Sequence, residues 1–462
     1  MNLGRSLLVS ALLVEGLLVA PVRAQASGTD ATQDPFLDSL VEEALSKNPD
    51  VAAVQEAATA AGFRPAQARS LANPMASVIY TNDGWAPSLG SRDMTTLAFM
   101  WSQDLPFPGK RGLRSDIQSR NAEQVQQQIE RVKLSIAAAV KRAYFGLILG
   151  RGLQDLTREQ EEIWKQIEGV ARSRYSVGQG TQQDVLRAQV EVTRIEQLRI
   201  EQSAEVDIRL AELNGLLNRS AETQLDTQAR LILRPFDGTL DDTLNHLNRI
   251  SPELNSAALG TERNTLAVSL ARKEFRPDLV VQAGYMNRGG LDPMWQAGVG
   301  FSLPIYRKGL TSRLDEAEAQ LRSSERLVAS VQLQLRSRTQ QRLTQLKATE
   351  RIATLYSDGI VPQDRLSVES AISNYQTGKL PFIAVLEALT SLYDDRTTHL
   401  GQLANHEKIR ASLEEASLDE TSGLVSAGAS GMTGVARRSA NMGASEPAAG
   451  GSAGASGSMA NP

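Results

Sequence analysis

Apolar and polar positions alternate along this chain with two different periods. In "WQAGVGFSL", Trp295, Ala297, Val299, Phe301 and Leu303 alternate with Gln296, Gly298, Gly300 and Ser302. In "LAFMWS", Leu97, Phe99 and Trp101 alternate with Ala98, Met100 and Ser102. A period of two puts each set on its own face of a strand, one face apolar and the other small or polar. The pattern predicts strands over about 75–82, 95–105, 278–287 and 294–303. Elsewhere apolar residues recur at steps of three and four. Ile129, Val132, Ile136, Ala139, Ala143 and Gly146 form one such seam, and Leu314, Ala317, Leu321, Val328, Val331 and Leu335 form another. These are heptad seams with small knobs. The other faces carry Gln, Arg, Glu and Ser, so these helices pack side by side and still meet water.

The pattern repeats. "RYSVGQGTQQDVLRA" (174–188) matches "NYQTGKLPFIAVLEA" (374–388) at Tyr175 and Tyr375, at Gly178 and Gly378, and at three apolar positions after them. Asn48-Pro49 pairs with Ser251-Pro252, "ARSLANPMASVIY" with "ARKEFRPDLVVQAGY", and "LPFPGKRGL" with "LPIYRKGL". All four landmarks fall in the same order at an offset of roughly 200 residues, the mark of a tandem duplication. The first unit is read over 25–220 and the second over 221–416. Each is expected to run as a helix (about 36–71; 239–274), two strands, a very long helix (about 110–177; 308–376), a tight turn and a returning helix (about 182–216; 382–413). Gly150-Arg151-Gly152 marks an expected bend in the first long helix, and "SDGIVPQDR" an interruption of the second.

Four strands cannot close a stable barrel, and an open sheet edge is not tolerated in lipid. If the strands span a membrane, several chains share one barrel. Two chains give eight strands and a bore filled with side chains; three give twelve and a water-filled bore.

Composition fits this outline. Aromatic residues are only 5% of the 462 residues, which suits long helices better than a large compact core. A net charge of -4 gives no support for nucleic-acid binding. Residues 1–24 resemble a secretory signal: Arg5 leads an apolar run, and Val22-Arg23-Ala24 offers a cleavage site. With no cysteine in the chain, no disulfide and no lipid on an N-terminal cysteine is expected. The tail from 417 to 462 is rich in Gly, Ala and Ser and is expected to be disordered. His246, His399 and His406 are scattered, so they are read as ordinary helix-surface residues, and no metal or other cofactor is expected.

Gly178 suits the left-handed position just past a helix end. Thr181 caps the next helix with Asp184 at its third position. In the second copy Pro381 is expected in the first turn of the new helix. Both stretches read as αα-hairpin tips. Val185, Ala188 and Val192, like Val385, Ala388 and Leu392, turn one face toward a neighbour. The tyrosines are expected to be exposed there as contacts for a partner.

These tips, the duplication, "AELNGLLNR" and "LPFPGKRG" together resemble the TolC family of outer-membrane efflux factors, over about 36–415. "YSDGIVPQDRLSVESAISNYQTGK" is most similar to the heavy-metal efflux branch of CzcC and CusC. The resemblance implies a mainly α protein with a small transmembrane β part. It implies a homotrimer in the outer-membrane lipid of a Gram-negative cell, with a twelve-stranded barrel continued by a helical periplasmic tunnel. It also implies a passive, non-enzymatic exit duct, working with a periplasmic adaptor (membrane fusion) protein and an inner-membrane RND pump, heavy-metal cations being among the implied substrates. By the same resemblance, Arg174, Tyr175, Gly178, Tyr375 and Gly378 would dock the adaptor. Asp184 and Tyr375 would hold the tip closed, and Glu387 would ring the aperture. Ala384 and Leu380 depart from family members that carry an acid and an arginine there.

Two other readings stay open. The same duct could serve a type I protein secretion exporter, which the neighbouring genes would reveal. A periplasmic coiled-coil scaffold would explain the seams but not the strands, and salt rather than detergent would release it from membranes.

Overall fold

The computed structural model describes residues 34–88, 92–227 and 229–415. The expected signal segment and the low-complexity tail lie outside the described residues.

The first expected helix is divided in both units, and the sequence explains where. In the first unit α1 (Pro35–Lys47), α2 (Pro49–Gly62) and α3 (Arg64–Arg69) follow one another. In the second, later in the chain, α6 (Leu240–Ile250) precedes α7 (Pro252–Lys273). Asn48 and Ser251 each precede a proline, which drives them out of the helical region into extended backbone, ψ 127° and 112°. Each then caps the next helix. Asn48 Oδ1 accepts from Asp50 N at 2.9 Å, and Ser251 Oγ accepts from Leu254 N at 3.3 Å. One local event occurs twice, as a duplication requires.

The strands are β1 (Met75–Thr81), β2 (Thr96–Leu105), β3 (Asp278–Arg288) and β4 (Leu291–Ser302). The β3–β4 turn is tighter than expected, with Arg288 opposite Leu291. Gly289, at φ 69°, supplies the left-handed residue that such a short loop needs. The four strands form a single antiparallel sheet in the order β1-β2-β3-β4. The central β2–β3 pairing therefore joins the two units. Its register puts Phe99 opposite Tyr285 and Trp101 opposite Ala283. Val78, Phe99, Tyr285 and Trp295 line up across all four strands on one face. Ser77, Met100, Gly284 and Gln296 line up across the other. Val78, Phe99, Tyr285, Trp295, Val299 and Phe301 are all exposed. The outer edges of β1 and β4 have no strand partner among the described residues.

From the sheet the chain runs into α4 (Lys110–Ser176), 67 residues without interruption, about 100 Å at 1.5 Å per residue. It stays helical through Gly150-Arg151-Gly152, contrary to the expected bend. Gly150 serves packing instead, since a Cβ there would fall 2.9 Å from Val206 Cγ2 on α5 (Gln182–Leu216). The second long helix is interrupted as expected. It divides into α8 (Arg307–Leu355), a π-helical turn (Tyr356–Ile360) and α9 (Val361–Gln376), before α10 (Phe382–Glu414) returns.

The two largest apolar clusters hold much of the rods together. Leu37, Leu40 and Val51 pack on Val140, Tyr144 and Leu147 of α4 and on Leu213 and Leu217. A second cluster near the tips contains Trp164, Ala188, Val368, Tyr375, Phe382 and Leu389. Ile136 and Ala143 of the expected seam are buried, but so are Val140, Tyr144 and Leu147 beside it. α4 meets α1, α2, α5, α7 and α10, so more than one stripe of it is covered.

Candidate functional site

The two tips have matching backbones. Gly178 and Gly378 take φ 73° and 79°, values that an L side chain adopts only with strain. Gly178 N donates to Tyr175 O and Gly378 N to Tyr375 O, both at 3.0 Å. Gln179 N reaches Arg174 O at 2.9 Å, and Lys379 N reaches Asn374 O at 2.8 Å. These bonds satisfy carbonyls that the ending helix leaves open. Thr181 Oγ1 accepts from Asp184 N at 3.2 Å and starts α5. Pro381 lies one position earlier than expected: it is the extended residue before α10, at ψ 156°, and Phe382 is the first helical residue.

The two tyrosines differ. Tyr175 is 49% exposed, whereas Tyr375 is only 3% exposed and is not the surface contact that the sequence led us to expect. The Arg174 guanidinium lies over the Tyr375 ring, 4.7 Å from its centroid. The ring also packs edge-on against Phe382 at 5.6 Å, and Phe382 packs on Trp164 at 6.4 Å. The Tyr375 hydroxyl points to Asp184 Oδ2 at 3.5 Å, a long contact. Burial, and then the Asp184 charge, push the Tyr375 phenol above its ordinary pKa. Arg174 Nη2 donates to Gln179 O at 2.8 Å, while its Nε and Nη1 are shielded from solvent without an acceptor. Arg174, Asp184, Tyr375 and Gly378 are thus brought together across the two units; Gly378 has room for a Cβ 3.4 Å from Arg174 Nη2. Glu387 stands apart, exposed on α10, with Ala384 half-buried one turn before it.

Sequence reasoning missed Phe382 and Trp164, which anchor Tyr375 from below. It also missed a set of exposed apolar residues at the tips: Val177, Leu186, Val190 and Ile383. The spacing of Leu186 and Val190 on α5 was legible, but nothing in it told an open face from a covered one.

The three histidines do not share the surface setting expected of them. His246 is exposed as expected, and His399 stacks on Tyr356 with ring centroids 6.3 Å apart. His406 is not on the surface: it is 0% exposed. Its Nε2 lies 3.1 Å from Glu350 Oε1 on α8, and its Nδ1 lies 3.3 Å from Glu407 Oε1. Among the described residues no group of three or more His, Cys, Asp or Glu is placed to hold a metal ion. No described helix is long and apolar enough to cross a membrane; the sheet is a separate matter.

Residues 40–219 and 244–417 match the family described as Outer membrane efflux protein, one match in each unit. The nickel-cobalt-cadmium resistance protein NccC of Alcaligenes xylosoxydans xylosoxydans is 25% identical over 328 residues, 70% of this chain and 72% of that one. The cobalt-zinc-cadmium resistance protein CzcC of Cupriavidus metallidurans is 23% identical over 306 residues, 64% of this chain and 70% of its own. The solved structure of the outer membrane protein VceC from Vibrio cholerae superposes with a TM-score of 0.71 at 19% identity, covering 83% of this chain and 96% of that one.

Proposed function

This chain belongs to the outer membrane efflux protein family, and we propose that it is the exit duct of a tripartite, RND-type efflux system. The observation that carries this is the sheet: four strands with an exposed apolar face and two open edges, joined at one end to helices far longer than a membrane is thick. Neither edge is tolerable in lipid, so neighbouring copies must cover them. Three copies supply twelve strands around a water-filled bore, and the helices continue the bore into the periplasm.

The tips receive the periplasmic adaptor through Tyr175, the backbone at Gly178 and Gly378, and the exposed apolar residues beside them. Arg174 and Tyr375 set the shape of that surface from beneath. Asp184 with Tyr375 holds the closed state, and three copies of Glu387 ring the aperture. The cargo is heavy-metal cations, as the names of NccC and CzcC indicate for those relatives. The duct itself is passive, and metal selectivity lies in the pump.

The test is the double substitution Gly178→Trp with Gly378→Trp in a strain lacking the wild-type gene. Metal resistance should fall to that of the deletion strain, while outer-membrane assembly persists. Normal efflux in the variant removes the tips as the docking surface. Loss of resistance to an organic antibiotic but not to nickel, cobalt or cadmium refutes the cargo.

A further inference from the structure

Because the strands are antiparallel and joined by hairpins at the far end, all four helix–strand junctions lie at one end of the sheet. The junction segments 64–74, 106–114, 269–277 and 303–313 contain eleven Lys and Arg and one acid, Glu274. The opposite end has no such bias, with Arg92 and Arg288 against Asp83, Asp93 and Asp292. Part of this charge is used internally. Lys110 bonds Asp278 at 2.8 Å, Arg272 pairs with Glu318 at 3.2 Å, Arg313 pairs with Glu274 at 3.4 Å, and Arg111 donates to the Arg69 carbonyl. Arg64, Arg69, Arg276, Arg307 and Lys308 remain exposed, with no ion pair to another described residue.

Helix electrostatics do not account for them. α1, α2, α5, α6 and α7 each carry an acid in the first turn, where the macrodipole favours one. α4 and α8 carry none there, and they open on Lys110-Arg111 and Arg307-Lys308. Large apolar side chains are exposed beside these cations in the chain. Tyr306 is 86% and Phe63 63% exposed, and Leu303 and Ile305 continue the apolar face of β4 toward the junction. Aromatic residues beside a band of cations, at the end of a lipid-facing sheet, match the layered chemistry of a headgroup region.

We propose that this basic collar binds the phosphates of anionic glycerophospholipids in the periplasmic leaflet, with Phe63 and Tyr306 seated among the headgroups, and so fixes the depth of the barrel. The proposal rests on the outer-membrane reading above.

The test uses the assembled full-length protein in a zwitterionic detergent. Its melting is followed against dihexanoyl-phosphatidylglycerol, dihexanoyl-phosphatidylcholine and inorganic phosphate. The glycerol lipid should raise the melting temperature where the choline lipid and phosphate do not, and added salt should weaken the effect. In Arg64→Gln/Arg276→Gln/Arg307→Gln/Lys308→Gln the same rise should need about tenfold more lipid or beyond, from the typical contribution of each surface cation. Arg64→Lys/Arg276→Lys/Arg307→Lys should respond like wild type. Equal responses to both lipids, a phosphate response matching the lipid's, or an unchanged Gln variant overturns the proposal. So does a wild-type particle indifferent to phosphatidylglycerol because sister chains cover the collar. If the Gln variant does not assemble, the wild type's preference between the two lipids decides alone. Failure of the protein to fractionate with outer membranes would instead undo the channel reading, which this measurement in detergent does not assume.

Discussion

Lys110 Nζ lies 2.8 Å from Asp278 Oδ1, joining the first residue of α4 to the first residue of β3 and so one unit of the duplication to the other. The same ammonium donates to Arg276 O at 2.9 Å, and Phe107 N donates to Asp278 Oδ1 at 2.7 Å. The Lys110 side chain is 4% exposed, so removing it takes one donor from the partly exposed Asp278 carboxylate and from the Arg276 carbonyl. Lys110→Met should destabilise the fold by about 2–3 kcal/mol, below the range for a fully buried pair because Asp278 is partly open to solvent. Thermal melting checks this. Glu123→Gln, which breaks the exposed Arg120–Glu123 pair, should leave the melting temperature unchanged.

Two glycines in one turn of α4 should respond in opposite directions to alanine. At Gly152 a Cβ would meet Leu400 Cδ1 at an ordinary 3.7 Å. Gly152→Ala should therefore stabilise by about 0.5–1 kcal/mol through helix propensity alone. At Gly150 the contact with Val206 Cγ2 would be 2.9 Å, and a β-branched side chain cannot swing aside freely. Gly150→Ala should destabilise by about 1–2 kcal/mol as the α4–α5 pair is forced apart. Equal effects at the two sites would contradict the packing role given to Gly150.

Local features of this fold were legible in the sequence, and contacts across the duplication were not. The strands showed as alternation, and the tips showed as Gly178 and Gly378 because only glycine takes those backbone angles at no steric cost. Period two assigns faces but not neighbours, so the β2–β3 pairing could not be read. The burial of Tyr375 depends on Arg174, which lies in the other unit, and the repeat suggested that Tyr175 and Tyr375 were alike. The bend expected at Gly150 failed because a glycine in a helix marks either flexibility or close approach. Deciding between them needs the partner, Val206. His406 lies in the mixed-polarity run "QLANHEKIRASLEE", which hides that α10 is covered on several sides there.

His406 should make stability depend on pH. Burial disfavours its charged ring, but hydrogen bonds to Glu407 and Glu350 overcome this and raise its pKa above the ordinary 6.5. Glu350 also accepts from Phe236 N at 2.7 Å, so the cluster ties α10, α8 and the segment between the units together. A raised histidine pKa stabilises the folded state fully below 6.5, and the gain is lost as pH rises through the folded value. Melting temperature should therefore fall as pH rises above 6.5 in wild type, with the His406 share of that slope absent in His406→Gln. The substitution should cost about 1–3 kcal/mol at low pH, where two acceptors lose their donor. A wild-type slope unchanged by the substitution would remove the cluster as its source.

The contact between Tyr375 and Asp184, at 3.5 Å, is long and worth about 1 kcal/mol at most, small for folding but enough to bias a closed tip. Asp184→Ala combined with Tyr375→Phe should change the melting temperature little, while raising single-channel conductance in planar bilayers severalfold. Unaltered conductance would separate this pair from the closed state.

The sharing of strands between chains is open to direct measurement, because the chain contains no cysteine. One cysteine is scanned along β1 and a second along β4. Within one chain these strands are three positions apart in the sheet, ~14 Å at the usual strand spacing, beyond the reach of a disulfide. If neighbouring copies close the barrel, oxidation in the membrane should yield covalent dimers and trimers at the in-register pairs. Monomers at every pair, or bridges formed only within one chain, would contradict a barrel built from shared strands.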